Sequence, residues 1–251
     1  MKTDVTRMTR TIHALLLLAV VGCGTRPQRA ATNDTAKAGA DAQGAPSPAV
    51  PVPSAGAAAL SADSMRALAD QSRIRGSAAA PIWIVEVSDF QCPYCRQWHE
   101  QTYATVIRDY VDRSLVRLAY LNLPIQSHQH AWIAAEAAMC AGVQGKFWQY
   151  HDALFRTQEQ WSALPAAEAT FDSLARAVGV NGAAWRDCLT SQAIRSLIVQ
   201  DVRRVEQTGV RSTPTFFIGD TAVVGALPTA VFRAVIDGQL KKAGAATPPG
   251  R

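Results

Sequence analysis

Apolar and polar positions divide the chain into stretches of different character. Residues 12–21 form an apolar run broken only by His13 and preceded by Lys2, Arg7 and Arg10. The run is too short for a stable bilayer span and has the build of an export signal peptide covering residues 1–22. From residue 24 to about 61, large apolar side chains give way to Ala, Gly, Pro, Ser and Thr. Such a composition cannot bury enough surface to fold. Residues 23–61 therefore read as a tether, with an r.m.s. span of roughly 35 Å when flexible and about 120 Å when extended.

From residue 62 the pattern becomes that of a folded domain. Residues 82–87 are apolar at every position except Glu86, as in a central strand covered on both faces. A turn, Ser88-Asp89-Phe90-Gln91, leads into a helix from Cys92 to about Asp112, and residues 115–121 supply a second strand. After Pro124 the period turns helical for some eighty residues. Phe147, Tyr150, His151, Leu154 and Phe155 make one stripe, and Phe171, Leu174, Ala175 and Val178 make another that stops at Gly179. A third runs from Trp185 through Leu189, Ile194, Leu197, Ile198, Val202 and Val205 to Gly209. Strand character returns at 215–218 and 222–224, joined by the hairpin signal Gly219-Asp220, and a last helix follows Pro228. Residues 243–251 read as a disordered tail.

Composition narrows the function classes. The formal charge of the 251-residue chain is +5, and loss of residues 1–22, with three basic groups and one acid, lowers it by two. No basic run or arginine stripe is present, which argues against nucleic-acid binding. The signal ends in Val20-Val21-Gly22-Cys23, which resembles the lipobox of bacterial lipoproteins and makes Cys23 the lipidated first residue, holding the domain to a membrane. Gly24, rather than Asp, resembles an outer-membrane sorting signal. Four further cysteines in an exported chain imply an oxidising compartment, where two pairs are a natural count.

The chemistry centres on Cys92-Pro93-Tyr94-Cys95, which lies where a buried strand ends and a helix begins. A cysteine at a helix start faces unpaired backbone N–H groups and the positive end of the helix dipole, both of which favour thiolate. Pro93 fits the first helical turn. Cys92 is then the nucleophile and Cys95 the buried resolving partner. A bare C-x-x-C is also half a zinc site, but no second ligand pair stands at suitable spacing; His99, one turn past Cys95, reads as a polar residue on the helix surface. Glu86, on a strand that is otherwise buried, has a raised pKa if it lacks a cation and can then exchange a proton with Cys95; the alternative is a strand-end carboxylate that reaches water. Cys140 and Cys188 lie on stripes facing the interior of the helical block, as a structural disulfide or as two buried thiols. Trp132, Trp148 and Trp185 read as core, and Tyr94 as exposed beside the cysteines.

The order βαβ, helical block, ββα is that of an α/β thioredoxin fold with an inserted helical domain, here at about residues 125–209 of a domain spanning 62–242. Three motifs stand in matching order: Glu86-Val-Ser-Asp-Phe-Gln-Cys92-Pro-Tyr-Cys95, Ala-Ala-Glu136-Ala-Ala-Met-Cys140-Ala-Gly, and Gly209-Val-Arg-Ser-Thr213-Pro214-Thr-Phe-Phe-Ile-Gly. Over about residues 76–240 the chain resembles the DsbA-like thiol:disulfide oxidoreductases of bacterial envelopes. The resemblance implies a cis Thr213-Pro214 bond facing the cysteine pair, a Thr213 backbone that pairs with a substrate peptide, a Tyr94 position that tunes redox potential, and the proton role for Glu86. It implies unfolded or thiol-containing exported proteins as substrates, a membrane redox partner, and no cofactor or metal. Disulfide formation is the leading expectation. A reductase or isomerase kept reduced by a membrane donor, and a non-catalytic module binding peptides or a metal, are the alternatives.

Overall fold

A computed structural model describes residues 60–248. The signal segment, Cys23 and nearly all of the tether lie outside the described residues, as do the last three residues of the tail. Helix α1 (Ala62–Ser72), capped by the Ser61 hydroxyl, which accepts from the Ser64 N–H at 3.1 Å, precedes the short strand β1 (Ile74–Arg75). The sheet order is β1-β3-β2-β4-β5, with β2 (Ile82–Ser88) parallel to β3 (Val116–Asn122) and antiparallel to β4 (Thr215–Ile218), which pairs in turn with β5 (Thr221–Val224). The β4–β5 turn needs Gly219, whose φ is +56° and whose missing Cβ would lie 2.5 Å from the Gln239 side chain.

Helix α2 (Pro93–Trp98) runs on through a π-helical turn, His99–Tyr103, then α3 (Ala104–Val106) and a second π-helical turn, Ile107–Val111. Trp98, Tyr103, Val106 and Tyr110 face one core, shared with Ile84, Leu118, Phe216 and, from α10 (Thr229–Lys242), Phe232 and Ile236. Strand β2 is not covered on both faces throughout. Trp83 is 39% exposed, with the Arg117 guanidinium over its ring, 4.5 Å from the centroid.

Between β3 and β4 lie α4 (Ala131–Val143), α5 (Phe147–Arg156), α6 (Gln158–Trp161), α7 (Glu168–Ala177), α8 (Gly182–Ser191) and α9 (Arg195–Gln207). Helix α4 is alanine-rich and buried nearly all round, so it serves as the axis of a second core. Cys140 on α4 and Cys188 on α8 form a disulfide. The third apolar stripe is two helices, not one. Gln192 ends α8 in the left-handed region at φ +57°, where the five-residue step from Leu189 to Ile194 breaks the helical spacing. Trp185 is buried, whereas Trp132 and Trp148 are partly buried against this core.

A polar network ties the two cores together. The Asp201 carboxylate on α9, wholly buried, accepts from the Arg73 guanidinium at the end of α1, and from the Asn122 backbone N–H at 3.2 Å and side-chain amide at 3.1 Å at the end of β3. Among the described residues no helix is long and apolar enough to cross a membrane.

Candidate active site

Cys92 is the N-cap of α2, with extended backbone (φ −69°, ψ 123°), and its carbonyl accepts the Arg96 N–H at 3.2 Å. Pro93 occupies the first helical position, where a missing donor costs nothing. The Cys92 residue is 4% exposed and Cys95 fully buried, while Tyr94 between them is 62% exposed. Opposite lies the loop before β4, where the Thr213-Pro214 bond is cis and the Thr213 carbonyl is 3.5 Å from the Cys92 sulfur. That loop is pinned on both sides: the Thr215 hydroxyl donates to the Ser212 carbonyl at 2.8 Å, and the Gly225 N–H to the Pro214 carbonyl at 2.8 Å.

The two sulfurs are electrically unequal. Hydrogen bonding from the Cys95 thiol outweighs burial and, with Thr213 and the backbone N–H groups of Cys95 and Tyr94, brings the Cys92 pKa down to about 6. Burial, and then the Cys92 sulfur beside it, push Cys95 up. Of the two sulfurs, Cys92 is therefore the one held toward thiolate.

Glu86 lies on β2, wholly buried, in register with Tyr120 on one side and Phe216 on the other. Neither carboxylate oxygen has a hydrogen-bond partner among the described residues. Burial pushes its pKa up to about 8; the nearby Ser88 hydroxyl, short of full hydrogen-bond geometry, offsets this only in part. The placement is that of an interior acid and not of a strand-end carboxylate in water.

The helical insertion and the loop after β3 hold the cysteine turn from outside. The Gln158 amide on α6 donates to the carbonyls of Phe90 at 2.7 Å and Cys92 at 3.0 Å. Gln91 donates to the Ser162 carbonyl at 2.9 Å and accepts the His130 N–H at 2.7 Å. Asp89 holds the loop after β3, accepting the Ile125 N–H at 2.8 Å and His128 Nδ1–H at 2.7 Å. Sequence reasoning treats Asp89 and Gln91 as turn residues and passes over His128 and Gln158; polar residues scattered through turns and helices leave no periodic signal for such joints.

His99 is not a surface residue. Its side chain is 10% exposed, and it packs within the π-helical turn against Tyr103, Phe155 and His151. Its Nε2 donates to Asp152 Oδ1 at 3.1 Å, and His151 Nδ1 donates to the same oxygen at 2.8 Å. Burial lowers His151 to about 4. Burial opposes the Asp152 charge, but the two imidazoles outweigh it and hold the carboxyl below its ordinary range. Ligating atoms of these three residues lie within 4.8 Å of one another, the spacing of a metal site. Asp152 Oδ1 is shared by the two imidazoles, while His99 Nδ1 and His151 Nε2 are buried without a hydrogen-bond partner among the described residues; the cavity beside them, about 350 Å³, is lined by Arg75, Arg108 and Arg156 together with Asp112 and Asp152.

Comparisons with known proteins agree with this architecture. A family model described as thioredoxin matches residues 68–238. The sodium/proton antiporter NhaA 3 of Salinispora tropica is 33% identical over 72% of this chain, which spans only 28% of that relative's length. The probable disulfide bond formation protein D of Bacillus anthracis is 25% identical, over 57% of this chain and 67% of the relative. The crystal structure of Wolbachia pipientis alpha-DsbA1 superposes with a TM-score of 0.61 at 21% identity, covering 68% of this chain and 92% of that one; at that identity the likeness concerns the fold. With the family match spanning more than half its length, the chain belongs to the thioredoxin family, and in carrying a helical insertion between β3 and β4 its fold is like that of alpha-DsbA1.

Proposed function

We propose that the protein is a thiol:disulfide oxidoreductase of the bacterial cell envelope, which forms disulfides in exported proteins through Cys92 and Cys95. The observation that carries this reading is the inequality of the pair: a helix-capping Cys92 with a lowered pKa faces the Thr213-Pro214 loop while Cys95 is buried beneath it. A substrate thiolate attacks the Cys92 sulfur of the enzyme disulfide, and the electron pair of that bond leaves on Cys95, which takes a proton from Glu86. The substrate's second thiolate then attacks its own sulfur in the mixed disulfide and expels Cys92 as thiolate. Two electrons have passed from substrate to enzyme, and a membrane redox partner removes them. Thr213 lines up the substrate backbone, with Tyr94 exposed alongside. The relative named for disulfide bond formation supports this chemistry.

A low thiolate pKa stabilises the reduced enzyme and makes it an oxidant. Equilibration with glutathione is expected to place the Cys92/Cys95 potential above about −200 mV; a value near about −270 mV marks a reductase instead. A pair that resists both exchange and alkylation marks a binding module.

The tether and the lipidated Cys23 complete the proposal. Mature protein is expected to partition into detergent with lipid on Cys23, and Cys23→Ala to abolish this. Mass spectrometry that finds an unmodified N-terminal segment sinks the anchor and leaves the redox chemistry untouched.

A further inference from the structure

We propose that His128, held by Asp89, is a cationic positioning residue for the Cys92 sulfur, a role resting on the exchange chemistry above. Asp89 joins the two through a single residue. Its backbone carbonyl accepts the Cys92 N–H at 3.1 Å, while its carboxylate accepts the Gln91 N–H at 2.7 Å, the Ile125 N–H at 2.8 Å and His128 Nδ1–H at 2.7 Å. The Asp89 side chain has no exposure, and a buried carboxylate is costly unless charge-paired. Among the described residues, His128 is the cationic side chain that pairs with it.

The Asp89 carboxylate raises His128 above the ordinary imidazole value against partial burial, and the Cys92 sulfur pushes it the same way. Nδ1 is committed to Asp89, and the side chain is 24% exposed, so Nε2 remains available to carry the second proton. The other titratable groups around Cys92 do not supply this charge. Cys95 is a fully buried thiol, and Arg96, on the next turn of α2, is committed to Glu100 at 3.3 Å and Glu159 at 2.7 Å.

The charge matters when the bond between Cys92 and the substrate sulfur breaks and its electron pair leaves on Cys92. An imidazolium on a fixed carboxylate offsets that charge without reorganising, because Asp89 is already locked by two backbone N–H groups. The same charge keeps Cys92 as thiolate when it later attacks to be reoxidised.

Two measurements test this on the full-length protein. Replacing His128 by Gln keeps an N–H within reach of Asp89 but removes the charge; the Cys92 pKa, read from thiolate absorbance and alkylation against pH, is expected to rise by at least about half a unit, a roughly threefold shift in thiolate equilibrium, and His128→Lys to restore it. Coupling is reciprocal, so the wild-type His128 imidazole, followed by NMR, is expected to titrate higher in the reduced protein than in the disulfide form. That second measurement stands even if the variants do not fold. Identical His128 titration in both redox states overturns the proposal, as does a Cys92 pKa unmoved by His128→Gln. A Cys92–Cys95 pair that does not exchange with glutathione or substrate thiols overturns the redox function instead, and leaves the effect of His128 readable from thiolate absorbance.

Discussion

Glu86 and Tyr120 stand side by side in the parallel register of β2 and β3, and neither the carboxylate nor the phenol oxygen has a hydrogen-bond partner among the described residues. Two buried polar ends without partners are a poor choice for stability alone. Their cost is easier to understand if the carboxyl has to change protonation state during the reaction.

That arrangement predicts a pH-dependent stability of definite sign. Burial raises Glu86 from its ordinary 4.5 to about 8, so between those values the native state binds more protons than the unfolded chain. Stability must therefore fall as pH rises through that window. The full cost above pH 8 is on the order of 5 kcal/mol for a shift of this size. Urea unfolding between pH 5 and 9 should show the decline in the wild type and a flatter profile in Glu86→Gln. The same variant should slow exchange at neutral pH, having lost its proton. Superimposable stability profiles would place Glu86 in contact with solvent.

Cys92 is expected to be the alkylatable thiol of the reduced protein. Labelling rate against pH should have its midpoint near the value of about 6 set by Cys95, Thr213 and the helix N–H groups, well below the roughly 8.5 of a free cysteine. Because its folded pKa is depressed, the stabilisation it gives the reduced state is complete above the unfolded value and is lost as pH falls through 6. A midpoint near 8.5, or an active Cys92→Ser variant, contradicts the assignment.

What the sequence reveals here depends on range. The cysteine turn, the β2 acid and the β4–β5 hairpin are local patterns, and residues 82–88, 93–111 and 215–224 bear them close to where periodicity puts them. Helix α1 and β1 have no such signature. The first is stabilised by docking on α4, and the second is two residues long. The break at Gln192 is a backbone event inside an apolar stripe. The parts of the site that sequence reasoning misses, Asp89 with His128 and Gln158 with the Phe90 and Cys92 carbonyls, join residues 39 and up to 68 positions apart. Single polar residues that meet only in the folded chain carry no period to read.

The Cys140–Cys188 bridge is assigned to the insertion and not to the exchange reaction. It joins α4 to α8 within the second core and closes a loop of separation 48, for which chain entropy predicts about 4 kcal/mol. Cys140→Ala with Cys188→Ala should lower stability by roughly that amount while leaving the Cys92 pKa in place. Peptide maps under non-reducing conditions should recover the linked pair. Two free thiols in protein taken from its native compartment would remove the stabilising role.

Asp201 offers a test of how the two cores are joined. Its carboxylate is the meeting point of the Arg73 guanidinium, the Asn122 backbone and the Asn122 amide, at a place with no exposure to water. Removing it leaves Arg73, itself almost fully buried, with only the half-exposed Asp70 as partner. Breaking a buried ion pair on one side costs about 3–5 kcal/mol, more than the pair contributes relative to apolar replacements, because the remaining charge stays desolvated. Asp201→Ala should therefore lose stability in that range, whereas replacing Asp201 and Arg73 together by leucine and methionine should recover most of it. The double-mutant cycle then gives a large positive coupling. Its loss should lower the urea midpoint of the whole domain; a loss under about 1 kcal/mol would mean that Arg73 finds water or Asp70 instead, and that the insertion is held to the sheet by apolar packing alone.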